Sequence, residues 1–194
     1  MQSQATIWRR RIVLMLVVGL AFAIPVTLIL RDEDGESAPP PEAISADPTR
    51  FGKMKFDEDL EISMRLPVGW TSNRKQGVLL LKSADGQARV ALSAPGPDED
   101  ADQLHSEVLT QFGDFYERFE VETRKKKAKI GGLRGETSAI EARAEGEKQE
   151  LGIVVSTAAG KKRAYLVVAY SPLVRPGEAT IEAQSLINEL KLVG

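Results

Sequence analysis

One uncharged, apolar stretch near the N-terminus constrains the chain more than any other feature. Ile12–Leu30 contains no charged residue and is rich in Leu, Ile and Val. A helix needs roughly 20 such residues to cross a bilayer, so we predict a transmembrane helix here. Arg9, Arg10 and Arg11 precede the stretch, and basic residues tend to remain on the cytoplasmic side. The pattern predicts a single-pass protein of the cytoplasmic membrane, with residues 1–11 as a cytoplasmic tail and the C-terminal domain periplasmic or extracellular.

A cleaved signal peptide is the alternative interpretation of the same stretch. Such a peptide has an apolar core of about 7–15 residues followed by a small-x-small cleavage site. Ile12–Leu20 followed by Ala21-Phe22-Ala23 fits that description. The apolar run continues to Leu30, however, where a mature N-terminus would turn polar, so the sequence favours the uncleaved anchor. Lipid attachment to a cysteine is excluded, because the chain has no Cys. Both interpretations place the rest of the chain outside the cytoplasmic membrane.

A polar linker separates the apolar stretch from the rest of the chain. Residues 31–50 begin with an acidic run and continue with Pro39-Pro40-Pro41, so we predict a semi-rigid spacer with polyproline II character. Residues 51–194 have the size of one domain. The absence of Cys excludes disulfides and thiolate chemistry. The formal net charge of −2 provides no global field that would attract nucleic acid.

Short alternating segments predict strands in the domain. In Ile62–Leu66 the apolar residues alternate with Ser63 and Arg65, which is typical of a half-buried strand, and Pro67 ends it. Tyr165–Tyr170 is almost wholly apolar, so we expect it to be central in the sheet. Further strands are predicted over Val78–Leu81, Ala88–Leu92, Val121–Ile130, Leu133–Ala144 and Leu151–Ala158.

Two segments show the periodicity of amphipathic helices. Asp100 can cap the first, with Gln103 placed to reach back as in a capping box. The sequence therefore predicts an α+β fold: a largely antiparallel sheet covered by two amphipathic helices, preceded by one transmembrane helix. The predicted apolar faces are Leu104, Val108, Phe112, Phe115 and Phe119 with Leu109 and Tyr116 in the first helix, and Ala183, Leu186, Ile187 and Leu190 in the last.

Three short motifs resemble a known fold group. The segment Ile62–Trp70 is similar to the strand and Pro-x-Gly-Trp opening of the PsbP-like fold, and the turn Ile130–Leu133 and the closing Leu190–Leu192 follow in the same order. This group includes the photosystem II extrinsic protein PsbP and DcrB-type envelope lipoproteins. The resemblance covers about residues 53–194 and implies a domain that works outside the cytoplasm. It implies no catalytic residues, and this chain has a predicted spanning helix where DcrB-type proteins have a lipidated Cys.

Few side chains of this sequence suggest chemistry. His105 is the single histidine, and no Gly-x-Ser-x-Gly motif accompanies it, so we interpret it as a boundary or surface residue rather than a triad base or zinc ligand. Acidic groups at Asp57–Asp59 and Asp98–Asp100 offer oxygen ligands for calcium. They lack the spacing of a calcium loop, so turns and helix capping explain them more simply. We therefore expect no enzyme activity, no cofactor and no metal site.

A basic run is the most unusual surface feature. Cations on both faces of one strand do not suit a buried central strand. One interpretation is an edge strand whose lysines prevent sheet-to-sheet pairing. The other is a binding site for an anionic partner, either lipid headgroups or an acidic protein surface, which Lys161, Lys162 and Arg163 could extend. The run consists of Arg124, Lys125, Lys126, Lys127 and Lys129, with Arg134 after the turn.

The function predicted from these features is that of a membrane-anchored, non-enzymatic binding or assembly module outside the cytoplasmic membrane. Its expected partner is an envelope protein or an anionic surface, and not nucleic acid. The alternative is a small-molecule or ion-binding domain that uses a cleft between sheet and helix near Trp70 and Phe115. In that case Trp70 would line a pocket as well as fasten the first strand to the sheet. A third interpretation, a hydrolase with paired carboxylates, has no motif to support it.

Overall fold

The computed structural model of the chain describes residues 51–95, 100–173 and 178–192. The predicted transmembrane helix over Ile12–Leu30 and the linker at residues 31–50 lie outside the described residues. Within the three described ranges, no helix is long and apolar enough to span a membrane. The described residues belong to the domain that follows the linker.

Ten strands and two helices occupy the described part of the chain. Five strands precede the first helix, four lie between the helices, and a short strand closes the domain. The elements are β1 (Phe51–Asp57), β2 (Ile62–Pro67), β3 (Thr71–Lys75), β4 (Val78–Lys82), β5 (Arg89–Ser93), α1 (Ala101–Phe115), β6 (Tyr116–Ile130), β7 (Leu133–Ala144), β8 (Leu151–Ala159), β9 (Ala164–Pro172), α2 (Glu178–Glu189) and β10 (Lys191–Leu192).

The main sheet has seven strands in the order β3-β4-β5-β9-β8-β7-β6, and each neighbouring pair is antiparallel. β9 is the fourth strand, and its residues from Ala164 to Tyr170 are all buried. The prediction that this apolar segment is central is confirmed, because a strand covered on both faces has no polar positions to offer water. β6 lies at the edge of the sheet.

Different elements cover the two faces of the main sheet. α1 packs on one face, where Phe112 joins Ile140 and Ile153 in a buried cluster. On the other face, Leu186 of α2 and Ile62 of β2 belong to a second buried cluster. Strands β1, β2 and β10 form a separate three-stranded sheet on this side. The predicted α+β fold with an antiparallel sheet and two helices is confirmed, and the second sheet is an addition that was not predicted.

The turn between β6 and β7 joins the two sheets. The backbone N–H of Leu192 in β10 donates to the carbonyl of Gly131 at 3.1 Å. Gly131 has φ of +58°, and a Cβ at this position would lie 2.5 Å from Cγ of Leu192. Glycine is therefore required both by the left-handed backbone and by the close approach of the closing strand.

The first helix ends earlier than its apolar pattern suggests. The Asp100 carboxylate accepts hydrogen bonds from the backbone N–H groups of Asp102 (2.8 Å) and Gln103 (3.1 Å), so the predicted N-cap is confirmed. The Gln103 side chain donates to Glu107 instead of reaching back. Phe119, predicted on the helix, lies in β6, because the backbone becomes extended at Tyr116 and pairs with β7 from there.

Candidate functional site

His105 of α1 is fully buried, which corrects its interpretation as a boundary or surface residue. Its Nε2 lies 2.7 Å from Oγ of Ser138 in β7, and its Nδ1 lies 3.0 Å from Oγ1 of Thr157 in β8. Ser138 lies on the same side of β7 as the buried Ile140. Thr157 lies on the same side of β8 as the buried Val155. The sequence signal for this contact was a serine and a threonine at positions where the alternation called for apolar residues.

Burial keeps the His105 ring neutral. Removal from water lowers the pKa of His105 from 6.5 to about 4, and the nearby charge of Lys125 acts in the same direction. The Lys125 backbone N–H donates to Ser138 Oγ at 2.9 Å, which leaves the Ser138 hydroxyl hydrogen for the imidazole. Ser138 is itself fully buried, so the Ser–His contact lies within the core, where it holds α1 on the sheet.

Lys125 is separated from the rest of the basic run by its own contacts. It lies at an irregularity in β6 between Thr123 and Lys126, with φ of +49°. Its Nζ forms an ion pair with the Asp102 carboxylate, and Glu136 Oε2 lies 4.0 Å away. The hydrogen bond from Lys125 lowers the pKa of Asp102. Lys125 therefore links β6 to α1, and its charge is neutralised within the domain.

The remaining cations of the run are exposed, and all of them lie on the edge strand β6 except Arg134, which lies in β7. Lys129 pairs directly with Arg134 across the hairpin, and Lys127 pairs with Glu136. Alternation places these residues on the sheet face that carries α1. Lys126 pairs with Thr137 and points to the opposite face, and Arg124 precedes the irregularity at Lys125. The predicted run is thus divided between the two faces of the sheet: Lys127, Lys129 and Arg134 lie on the face that carries α1, and Lys126 lies on the opposite face.

A second basic turn meets the first at the same end of the sheet. Gly135 pairs with Ala158, so the β8–β9 turn lies beside the β6–β7 turn. In that turn, Arg163 is held by the Asp59 carbonyl at 2.9 Å and by Glu61. We give the name basic end to five exposed cations, namely those of β6 and β7 on the α1 face near their turn and those of the β8–β9 turn. Within the described residues none of the five forms an ion pair: Lys127, Lys129, Arg134, Lys161 and Lys162.

A groove of about 740 Å³ opens beside the basic end. Its walls are the first turn of α1 and the side chains of Lys127, Arg134 and Glu136. Small residues of β6, β7 and β8 form the rest of the lining. At Gly135 a side chain would collide with the carbonyl of Thr157, so glycine is required at this position in β7. The lining residues are Asp100, Ala101, Asp102, Lys127, Ala128, Arg134, Gly135, Glu136, Thr157 and Ala159.

The predicted acidic groups have structural contacts. Asp57 accepts a hydrogen bond from the Leu60 N–H at 3.0 Å and forms an ion pair with Arg74. Burial acts to raise the pKa of Asp57, but the hydrogen bonds from Arg74 and Leu60 outweigh it and the pKa is lowered. Asp100 caps α1. Asp98 and Glu99 lie outside the described residues.

A different carboxylate group was not found from the sequence. Glu120 and Glu122 of β6 and Glu141 of β7 bring their oxygens within 4.8 Å of one another. Glu120 pairs with Glu141 across the strands, a proximity that no local spacing reveals. Glu120 also forms an ion pair with Arg118 at 2.9 Å, which lowers its pKa.

The architecture is shared with solved structures, although no protein-family profile and no curated protein sequence matches the chain. The solution structure of the cyanobacterial PsbP protein CyanoP from Synechocystis matches with a TM-score of 0.55 at 9% identity, covering 72% of this chain and 91% of that one. LpqN of Mycobacterium tuberculosis, involved in cell envelope biogenesis, matches with a TM-score of 0.50 at 10% identity, covering 69% and 83%. The chain has the PsbP-like fold.

A third structure, from Bacteroides thetaiotaomicron, matches this PsbP-like domain with a TM-score of 0.51 at 17% identity. It is the larger protein, since the match covers 74% of this chain and 49% of that one. At such identities the likeness shows the fold alone. The three sequence motifs of the PsbP-like fold are explained by the second sheet: the Pro67–Trp70 turn follows β2, and the Gly131 turn contacts β10, which pairs with β2.

Trp70 belongs to the core of the PsbP-like domain. It is 7% exposed and lies in the apolar cluster that includes Leu81 and Leu186, on the side of α2. Phe115 is the last residue of α1, which packs on the opposite face of the main sheet. The two aromatic residues therefore do not border one cleft between sheet and helix, as the sequence had led us to expect. The groove beside the basic end is a different place.

Proposed function

We propose that this protein is a membrane-anchored, non-enzymatic binding or assembly module that acts outside the cytoplasmic membrane through its basic end. The observation that carries the proposal is the convergence of five exposed cations, without ion pairs among the described residues, from two separate turns. The lysines on β6 are explained by the need to prevent an edge strand from pairing with another sheet. This need does not explain Lys161 and Lys162, which lie in the turn between the inner strands β8 and β9.

The anchor is supported by the sequence alone. Ile12–Leu30 has the length and composition of a spanning helix, and the arginines before it favour a cytoplasmic N-terminus. An extracytoplasmic domain agrees with the fold, because one structurally similar protein, LpqN, is described as involved in cell envelope biogenesis. The linker at residues 31–50 would then hold the domain away from the bilayer.

A non-enzymatic role is supported by how the reactive side chains are used. The single histidine is enclosed between Ser138 and Thr157, and the chain has no Cys. Lys125 and Asp102 neutralise each other. The cations left exposed form a charged surface, and such a surface favours recognition of an oppositely charged partner.

Topology is tested by adding protease to intact spheroplasts that express the full chain with a different tag at each end. We expect the domain to be digested from outside while the residues before Ile12 survive. The control is a variant in which Arg9, Arg10 and Arg11 are replaced by Glu, which should weaken the preference for a cytoplasmic N-terminus. A domain that stays whole, beside an exported protein that is digested, would contradict the proposed location.

Binding is tested by amine-reactive crosslinking in intact cells. We expect a reproducible adduct of the wild-type chain that persists when Lys161 and Lys162 are replaced by Arg, which removes their amines but keeps the charge, and that is lost when both are replaced by Glu. The matched control is Lys148→Glu, because Lys148 is exposed in the β7–β8 connection at the other end of the sheet. Adducts that are absent, or that disappear equally in the control, would count against a binding function of the basic end.

A further inference from the structure

We propose that the basic end binds an acidic, extended segment of a partner protein, which lies along the groove beside the first turn of α1. This inference rests on the proposed function and names the class of partner. The segment's carboxylates would contact Lys127, Lys129 and Arg134, and its backbone would enter the groove. Three observations carry the assignment.

The first observation is a like-charge pair within the hairpin. Lys129 and Arg134 are direct cross-strand partners, and both are exposed. Like charges directly opposite each other destabilise a strand pair. Protection of an edge strand requires a lysine but not a second cation facing it. The repulsion between these two cations opposes folding, and a carboxylate from outside would relieve it. The pair therefore points to an anionic ligand at this position.

The second observation is the mixed charge of the groove, which selects a protein segment over a membrane surface. Lys127 and Arg134 line the groove together with the acidic residues Asp100, Asp102 and Glu136. The planar surface of a bilayer could not follow the chain into this recess. A peptide can place its carboxylates on the cations and its N–H groups near the carboxylates. The recess has a volume of about 740 Å³ and is open to solvent, so an extended segment could lie along it.

The third observation is the position of the N-terminal end of β1 relative to the basic end. Asp59, two residues after the end of β1, contacts Arg163 in the β8–β9 turn, so the C-terminal end of β1 lies near the basic end. Phe51, at the other end of β1, is about 20 Å away along the strand and pairs with Pro67. The segment that leads to the predicted anchor therefore joins the domain at the end remote from the basic end. This placement favours a partner away from the anchoring bilayer.

The test uses the full chain in nanodiscs of phosphatidylcholine and a fluorescent octaglutamate peptide, with binding followed by anisotropy. We expect saturable binding that weakens with salt, because exposed charges carry it. The double variant Lys127→Glu, Lys129→Glu should lose affinity by about tenfold or more, whereas the control Lys148→Glu should change it by less than about twofold. Equal losses in both would overturn the assignment, and unchanged thermal unfolding of each variant shows that the fold persists.

Two competitors distinguish other occupants. Vesicles of phosphatidylglycerol and phosphatidylcholine should not displace the peptide, and displacement at equal charge concentration would assign the surface to lipid. The chain's own acidic residues Asp32, Glu33, Asp34 and Glu36 are the other competitor. If the peptide binds only after their replacement by Asn and Gln, the occupant is this segment and the partner assignment fails. A peptide that never binds, beside intact crosslinking through Lys161 and Lys162, overturns this inference and leaves the proposed function standing.

Discussion

The buried histidine makes the stability of the domain depend on pH in a calculable way. The pKa of His105 falls from 6.5 in the unfolded chain to about 4 in the folded domain. At a pH between these two pKa values, the imidazole is protonated in the unfolded state but not in the folded state. The free energy of unfolding therefore decreases as the pH falls. Each pKa unit corresponds to about 1.4 kcal/mol, which gives a loss of roughly 3 kcal/mol. The loss begins near pH 6.5 and is complete below about pH 4.

Two measurements check this prediction. Because the chain has one histidine, its imidazole resonances can be titrated by NMR without assignment, and we expect a midpoint near 4. Urea unfolding of the full chain in detergent, from pH 8 to pH 4, should show the loss of stability in the wild type. In His105→Gln the part that arises from the imidazole should be absent, while the titration of carboxylates is retained. The difference between the two curves therefore isolates His105.

A midpoint near 6.5 in the NMR titration would refute the reasoning, since it would mean that the ring is solvated in the folded domain. Parallel unfolding curves for the wild type and His105→Gln would refute it as well. Ser138→Ala provides a further check of the geometry, because it removes the partner of both the imidazole and the Lys125 N–H. We expect it to cost roughly 2–4 kcal/mol, as two buried polar groups lose their hydrogen bond.

Three further predictions concern stability, each measured as the urea midpoint of the full chain. Gly131→Ala should destabilise the domain by roughly 1–3 kcal/mol more than Gly132→Ala. Both glycines have positive φ, but only a Cβ at position 131 would meet Leu192. Equal losses of stability in the two variants would disprove the close contact. Asp100→Ala should cost about 1 kcal/mol by removing the N-cap, and an unchanged midpoint would contradict it. Lys129→Glu should stabilise the domain by up to about 1 kcal/mol through Arg134, and a loss of stability would argue against their repulsion.

Features that depend on neighbouring residues could be predicted from the order of the amino acids. The alternation in Ile62–Leu66 predicted a strand, the apolar run Tyr165–Tyr170 predicted the centre of the sheet, and Asp100 predicted a helix cap. Each depends on periodicity, or on a side chain that bonds its own backbone a few residues on. The PsbP-like fold could be recognised for the same reason, because its motifs are short turns and strand ends.

The tertiary structure alone decided what the charged and polar residues do. His105 meets hydroxyls that are 33 and 52 residues away in the chain, so its burial follows from the packing of α1 on β7 and β8. The irregularity at Lys125 turns one lysine inward, and the register of β6 with β7 places Lys129 opposite Arg134. Such pairings depend on strand register and on which turns share an end of the sheet. These are long-range properties, and the order of residues along one strand does not contain them.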